Sequence, residues 1–78
     1  MENTMENKML EIINLVLDNR IKVKIENLTP EMHLRNDIGL DSLDLAELTV
    51  RIEAEFDVDV FEDGIVYTVG EIFEKLNR

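Results

Sequence analysis

From Met5 onward, apolar residues return every three or four positions. Met5, Met9, Ile12, Ile13, Val16 and Leu17 fall on one face, and Asn3 with Glu6 has the spacing expected of a capping pair ahead of them. The spacing predicts a first helix ending near Arg20. Next, Ile21-Lys22-Val23-Lys24-Ile25-Glu26 alternates strictly, the period of a strand. No second strand is in sight to pair its backbone. The expected form is therefore an extended linker whose Ile21, Val23 and Ile25 side chains drop onto the helices. In Thr29-Pro30-Glu31-Met32, Thr as cap and Pro as first helical residue favour a single helical turn, and residues 33–40 return to loop.

Asp41 suits the N-cap of a second helix, and Asp44 places a carboxylate in its first turn, where the helix dipole favours it. This helix is predicted from Ser42 to Phe56. It carries two apolar stripes: Leu45, Leu48, Ile52 and Phe56 on one line, Leu43, Ala46 and Val50 on another. A small core needs one of them. The other is either left for a partner or buried as well, and periodicity alone does not choose. Residues 57–64 mix polar and apolar positions around Gly64 and predict loop with at most one irregular turn. Thr68-Val69-Gly70-Glu71 reads as a capping box, followed at helical spacing by Val69, Ile72, Phe73 and Leu76. The expected fold is all-α: a small bundle of three main helices plus a short or irregular third helix, with residues 1–78 as one domain.

Composition narrows the function. At 78 residues the chain has room for one core, and with no cysteine it has neither a disulfide framework nor a thiol nucleophile. The net charge is −10 and it is uneven. Residues 1–35 hold six acids and five bases, whereas residues 36–78 hold twelve acids and three bases. Such a surface repels nucleic acid and anionic lipid and attracts basic partners. No apolar run reaches the ~18 residues of a membrane span, and the N-terminus lacks the basic-then-apolar order of a secretory signal. A cytoplasmic protein is expected.

Few residues are equipped for catalysis. A serine hydrolase needs a base and an orienting acid, but His33 is the sole histidine, and Gly39-Leu40-Asp41-Ser42-Leu43 lacks the nucleophile-elbow spacing. Asp57-Val58-Asp59 starts like a calcium loop, yet Phe61 and Glu62 stand where a ligand and a glycine belong. No metal site is predicted. What remains is Ser42, a hydroxyl at a loop–helix junction flanked by carboxylates. An ester phosphate there would sit beside unpaired backbone N–H groups. On chemistry alone, Ser42 is either a modified serine or an ordinary first-turn residue.

The run Asp37-Ile38-Gly39-Leu40-Asp41-Ser42-Leu43-Asp44 resembles the signature of acyl carrier proteins, in which Asp-Ser-Leu opens the second helix and the serine bears 4′-phosphopantetheine. The likeness continues through Leu28-Thr29-Pro30-Glu31 with Leu34, Glu53-Ala54-Glu55-Phe56 and Thr68-Val69-Gly70-Glu71. It implies Ser42 as the covalent attachment point, Asp41 as the carboxylate needed by the modifying transferase, and Gly39 as a flexible loop position. It also divides the stripes. Leu43, Ala46 and Val50 would face partner enzymes, with Asp44, Glu47 and Glu53 pairing to basic patches, while Leu48, Ile52 and Phe56 line the interior. Ile38, Val60, Ile65, Val69 and Phe73 are further interior candidates.

The implied role is that of a monomeric, non-catalytic carrier of acyl groups in fatty acid or related lipid or polyketide synthesis. Its partners would be a phosphopantetheinyl transferase, which brings its own Mg²⁺, and acyl-activating, ketosynthase and acyltransferase enzymes. Some features depart from the usual pattern. Phe61 stands where fatty acid carriers usually have Pro, Gly64 interrupts the third-helix region, and Arg51 adds a positive charge to an acidic helix. A specialised aminoacyl or secondary-metabolite carrier is the alternative within the family. Outside it, the alternative is an acidic helical interaction module without a prosthetic group.

Overall fold

The computed structural model describes residues 4–62 and 64–77. Among them the chain forms three helices, α1 (Thr4–Asn19), α2 (Ser42–Phe56) and α3 (Val69–Leu76). Asn3, the proposed first cap, lies outside the described residues. The predicted α1 face is the buried one: Met9, Ile12, Ile13, Val16 and Leu17 enter the core and pack on Leu48 and Ile52 of α2. Val69 and Ile72 of α3 join them, as do Leu34, Ile38, Leu40, Val60 and Val66 from the connecting segments. Loops thus supply a substantial part of the core, which ties their paths to the helices. None of the described helices is long and apolar enough to cross a membrane.

The linker after α1 departs from the expectation. Ile21 and Val23 do not drop onto the helices; they are 95% and 87% exposed, and only Ile25 packs against the core. The cause lies at the end of α1. Ile21 takes a left-handed conformation (φ 56°) as Ile21 N–H donates to Asp18 O (3.0 Å) and Lys22 N–H to Leu17 O (2.8 Å). That turn sends Lys22 inward and its apolar neighbours outward. At Ile25 the extended backbone is satisfied by a side chain: Asn14 Oδ1 accepts from Ile25 N–H (2.8 Å) while Asn14 Nδ2 donates to Ile25 O (2.9 Å). An amide side chain does the work of a missing strand.

The start of α3 is docked on the segment before α2. Val69 N–H donates to Met32 O (3.0 Å), Gly70 N–H to Pro30 O (3.0 Å) and Leu34 N–H to Tyr67 O (2.8 Å). Gly70 suits this approach: a Cβ there would lie 3.1 Å from Pro30 O and 3.2 Å from its Cβ, so a side chain would require the Pro30 segment to give by a few tenths of an ångström. Thr68 caps α3 by accepting from Glu71 N–H (3.3 Å), but Glu71 completes no box: its Oε2 takes Tyr67 N–H instead (3.1 Å).

Between α2 and α3 the irregular third helix is a pair of turns among the described residues, with Glu62 N–H on Asp59 O (3.2 Å) and Gly64 N–H on Phe61 O (3.1 Å). Asp59 Oδ1 captures Phe61 N–H (3.1 Å), a local bond that competes with helix, and Gly64 adopts φ 130°. Ile65, expected inside, is exposed, and its neighbour Val66 occupies the core. Val60 and Val69 are buried as expected, and Phe56 and Phe73 are partly buried against the core.

The two stripes of α2 are now separable by mutation. Leu48→Ala should cost about 2–5 kcal/mol in chemical denaturation, a large share of the stability of so small a domain. Leu43→Ala should stay within about 0.5 kcal/mol. Equal losses at both positions would contradict the assignment.

Candidate functional site

Ser42 is the first residue of α2 and its side chain is exposed. The junction before it is held by reciprocal bonds. Asp41, in extended conformation, accepts Asp44 N–H at Oδ1 (3.0 Å), and Asp44 Oδ2 accepts Asp41 N–H (3.0 Å). This is a full capping box built from two aspartates. Beside it, Arg35 Nη2 donates to Ser42 Oγ at 3.4 Å.

Asp44 is fully buried. A charge in that position needs compensation, and two cations from the end of α1 and its linker provide it. Arg20 Nη1 lies 2.9 Å from Asp44 Oδ1, and Lys22 Nζ meets Asp44 Oδ2. The same cations reach Asp41 Oδ2, each at 3.4 Å. Lys22 Nζ also donates to the carbonyl of Gly39 (3.0 Å), which sits at φ 92°, a conformation that suits glycine. The expectation that Asp44 faces partners is therefore corrected: its carboxylate is paired inside the molecule.

These contacts move the acid–base equilibria. Asp41 is held below its ordinary value by the Asp44 N–H, with the Lys22 hydrogen bond and the Arg20 charge adding to it against partial burial. Lys22 is raised, first by its hydrogen bond to Asp44, then by Asp41, with burial opposing.

Along α2 the second stripe is open. Leu43 and Val50 are 69% and 65% exposed, and Ala46 and Glu53 are exposed with them. Glu47 is half-buried and engaged: Arg51 Nε (2.8 Å) and Asn19 Nδ2 (3.1 Å) both donate to its Oε2, and in that order they lower its pKa. Arg51 is thereby balanced within its own helix. Arg35, Ser42, Leu45, Ala46, Phe61 and Ile65 together line a shallow groove.

His33 takes no part at the serine. Its Nδ1 accepts the backbone N–H groups of Arg35 (3.2 Å) and Asn36 (3.1 Å), and its ring lies 6.0 Å from that of Tyr67. The Ser42 hydroxyl accepts from a guanidinium, which cannot serve as a base. The site residues that sequence reasoning missed are Arg20, Lys22 and Arg35. Lys22 carried the only signal, a cation inside an alternating apolar segment.

The arrangement fits a phosphate ester on Ser42. The hydroxyl is accessible, a cation stands next to it, and the nearby carboxylates of Asp41 and Asp44 are already matched by Arg20 and Lys22. The family described as the phosphopantetheine attachment site matches residues 10–72. Among curated proteins, the acyl carrier protein of Amoebophilus asiaticus is 34% identical over 70 residues, spanning 87% of this chain and 86% of the relative. That of Syntrophus aciditrophicus is 44% identical over 62 residues, 80% and 72% of the two chains. That of Syntrophobacter fumaroxidans is 36% identical over 65 residues, 81% and 80%. No solved structure matches the chain significantly.

Two outcomes test the buried pair. Asp44→Ala leaves Asp41 N–H without its acceptor and Arg20 and Lys22 without their closest carboxylate, and should cost about 1–3 kcal/mol. The exposed Glu53→Ala should cost no more than about 0.5 kcal/mol, and parity between the two would sink the assignment. For pH, Asp41 titrates lower in the folded chain than its ordinary 3.8, so its contribution is present above that value and disappears as pH falls through the folded pKa. A melting temperature followed downward from pH 3.8 should therefore fall less steeply in Asp41→Asn than in the parent.

Proposed function

The chain belongs to the acyl carrier protein family, and we propose that Ser42 is the residue to which its 4′-phosphopantetheine is attached. The observation that carries this reading is the exposed Ser42 hydroxyl at the first turn of α2, within the stretch that matches the attachment-site family. The group supplies a terminal thiol on a flexible arm, on which acyl chains are held as thioesters.

The chain's own residues present and orient. The Asp41–Asp44 box sets the start of α2, and Lys22 and Arg20 hold that start against α1, so the serine has a defined position for a transferase to reach. Asp41 keeps a partly exposed carboxylate beside the hydroxyl, where the transferase would read it. Leu43, Ala46 and Val50 form the apolar centre of the face offered to acyl-handling enzymes, and Glu53 supplies an exposed acid for their basic patches. Such an interface gives fast encounter and ready release, which a shuttle visiting several active sites requires. The reading places the protein in the cytoplasm, in fatty acid or related lipid or polyketide synthesis, as a carrier that performs no catalysis of its own.

Incubation with coenzyme A, Mg²⁺ and a broad-specificity phosphopantetheinyl transferase should add one phosphopantetheinyl group to the parent by intact mass and none to Ser42→Ala. A folded, initially unmodified parent that gains no mass would overturn the proposal.

A further inference from the structure

The cations around Ser42 are not equivalent. Arg20 and Lys22 are neutralised by Asp41 and Asp44, and Arg51 by Glu47. Arg35 has no carboxylate partner among the described residues, and its side-chain contact is the Ser42 hydroxyl. Its backbone is anchored on both sides: the N–H by His33 Nδ1 (3.2 Å), and the carbonyl by Gly39 N–H (3.1 Å). Those bonds fix the backbone from which the guanidinium reaches Ser42, and Arg35 lines the same groove as Leu45, Ala46, Phe61 and Ile65.

We propose that Arg35 binds the phosphodiester joining the prosthetic group to Ser42 and so sets the direction in which the arm leaves the protein, over the apolar groove. This rests on the reading of Ser42 as the attachment point. A guanidinium 3.4 Å from the ester oxygen needs only a small side-chain rotation to reach a non-bridging phosphate oxygen at the ~2.8 Å of a charge-assisted hydrogen bond. Its planar fork suits phosphate better than the point charge of a lysine. Asp41, next to the serine, already faces two cations, and Asp37 Oδ2 accepts His33 N–H, so Arg35 is left for the incoming negative charge. Arg35 is thus a positioning residue for the arm.

The test uses the full chain as parent, Arg35→Gln and Arg35→Lys, each before and after loading, with intact mass recorded for every sample. At low salt, the ³¹P resonance of the loaded parent should differ from that of loaded Arg35→Gln, with Arg35→Lys between them. Raising the salt should shrink the difference. Loading should also raise the melting temperature more, or lower it less, in the parent than in Arg35→Gln. Within the parent alone, the Arg35 Nε–H resonance should move on loading, a readout that does not depend on either variant folding or being loaded. If that resonance stays in place, or the ³¹P shift and loading-induced melting change match between parent and Arg35→Gln, the proposal is overturned. A parent that gains no mass removes the Ser42 reading and this proposal together, whereas a loaded parent without these couplings removes only this one.

Discussion

A single buried carboxylate organises this molecule. Asp44 lies in the first turn of α2 with no exposure to solvent, where an ionised group is stable only if paired and hydrogen-bonded. Its demands explain features that otherwise look unrelated. The end of α1 turns through a β-branched residue in a left-handed conformation, the linker puts Lys22 inward, and the Gly39 carbonyl is drawn to the same ammonium. Exposing Ile21 and Val23 forgoes hydrophobic burial of roughly 1.5–3 kcal/mol each. The alternative was a buried charge without its cation, which costs more.

The same pairing redistributes the charge of an acidic chain. Asp44 is buried against Arg20 and Lys22, the partly exposed Asp41 is paired with the same cations, and Glu47 is shared with Arg51, so the first two turns of α2 present an apolar surface more than an acidic one. The exposed acid of the proposed partner face, Glu53, lies further along the helix. In a net −10 protein this creates a local region near the serine where a phosphodiester meets little repulsion. Charge placement, rather than total charge, governs what the site accepts.

The core achieves order in the loops by using them. Leu34, Ile38, Leu40, Val60 and Val66 are buried with the helical residues, and the 30–34 segment exchanges backbone hydrogen bonds with the start of α3. The serine's junction is therefore braced from two sides. On one side stand Arg20 and Lys22; on the other, the turn after His33 carries Arg35 and returns through Leu40 N–H on Leu34 O (3.0 Å) to α2.

The order of the helices, their faces and the position of Ser42 were all legible along the chain. Helical periodicity, a cap and an apolar stripe are local properties, and they placed α2 at its observed ends; which of its two stripes is buried, Leu48 and Ile52 rather than Leu43 and Val50, came from the family resemblance. The resemblance around Asp41-Ser42-Leu43 pointed to the family that the comparisons bear out. Only the tertiary structure decided the fate of individual charges. Whether Asp44 is solvated or buried depends on what stands 22 to 24 residues earlier, at Arg20 and Lys22, and no local pattern encodes that distance. The alternating segment at residues 21–26 reads by hydrophobicity as inward at Ile21 and Val23, where a long-range ion pair of Lys22 instead turns those two outward and leaves only Ile25 on the core. For the same reason nothing in the sequence singled out Arg35: a chain turn brings it to Ser42, a juxtaposition that exists only in three dimensions.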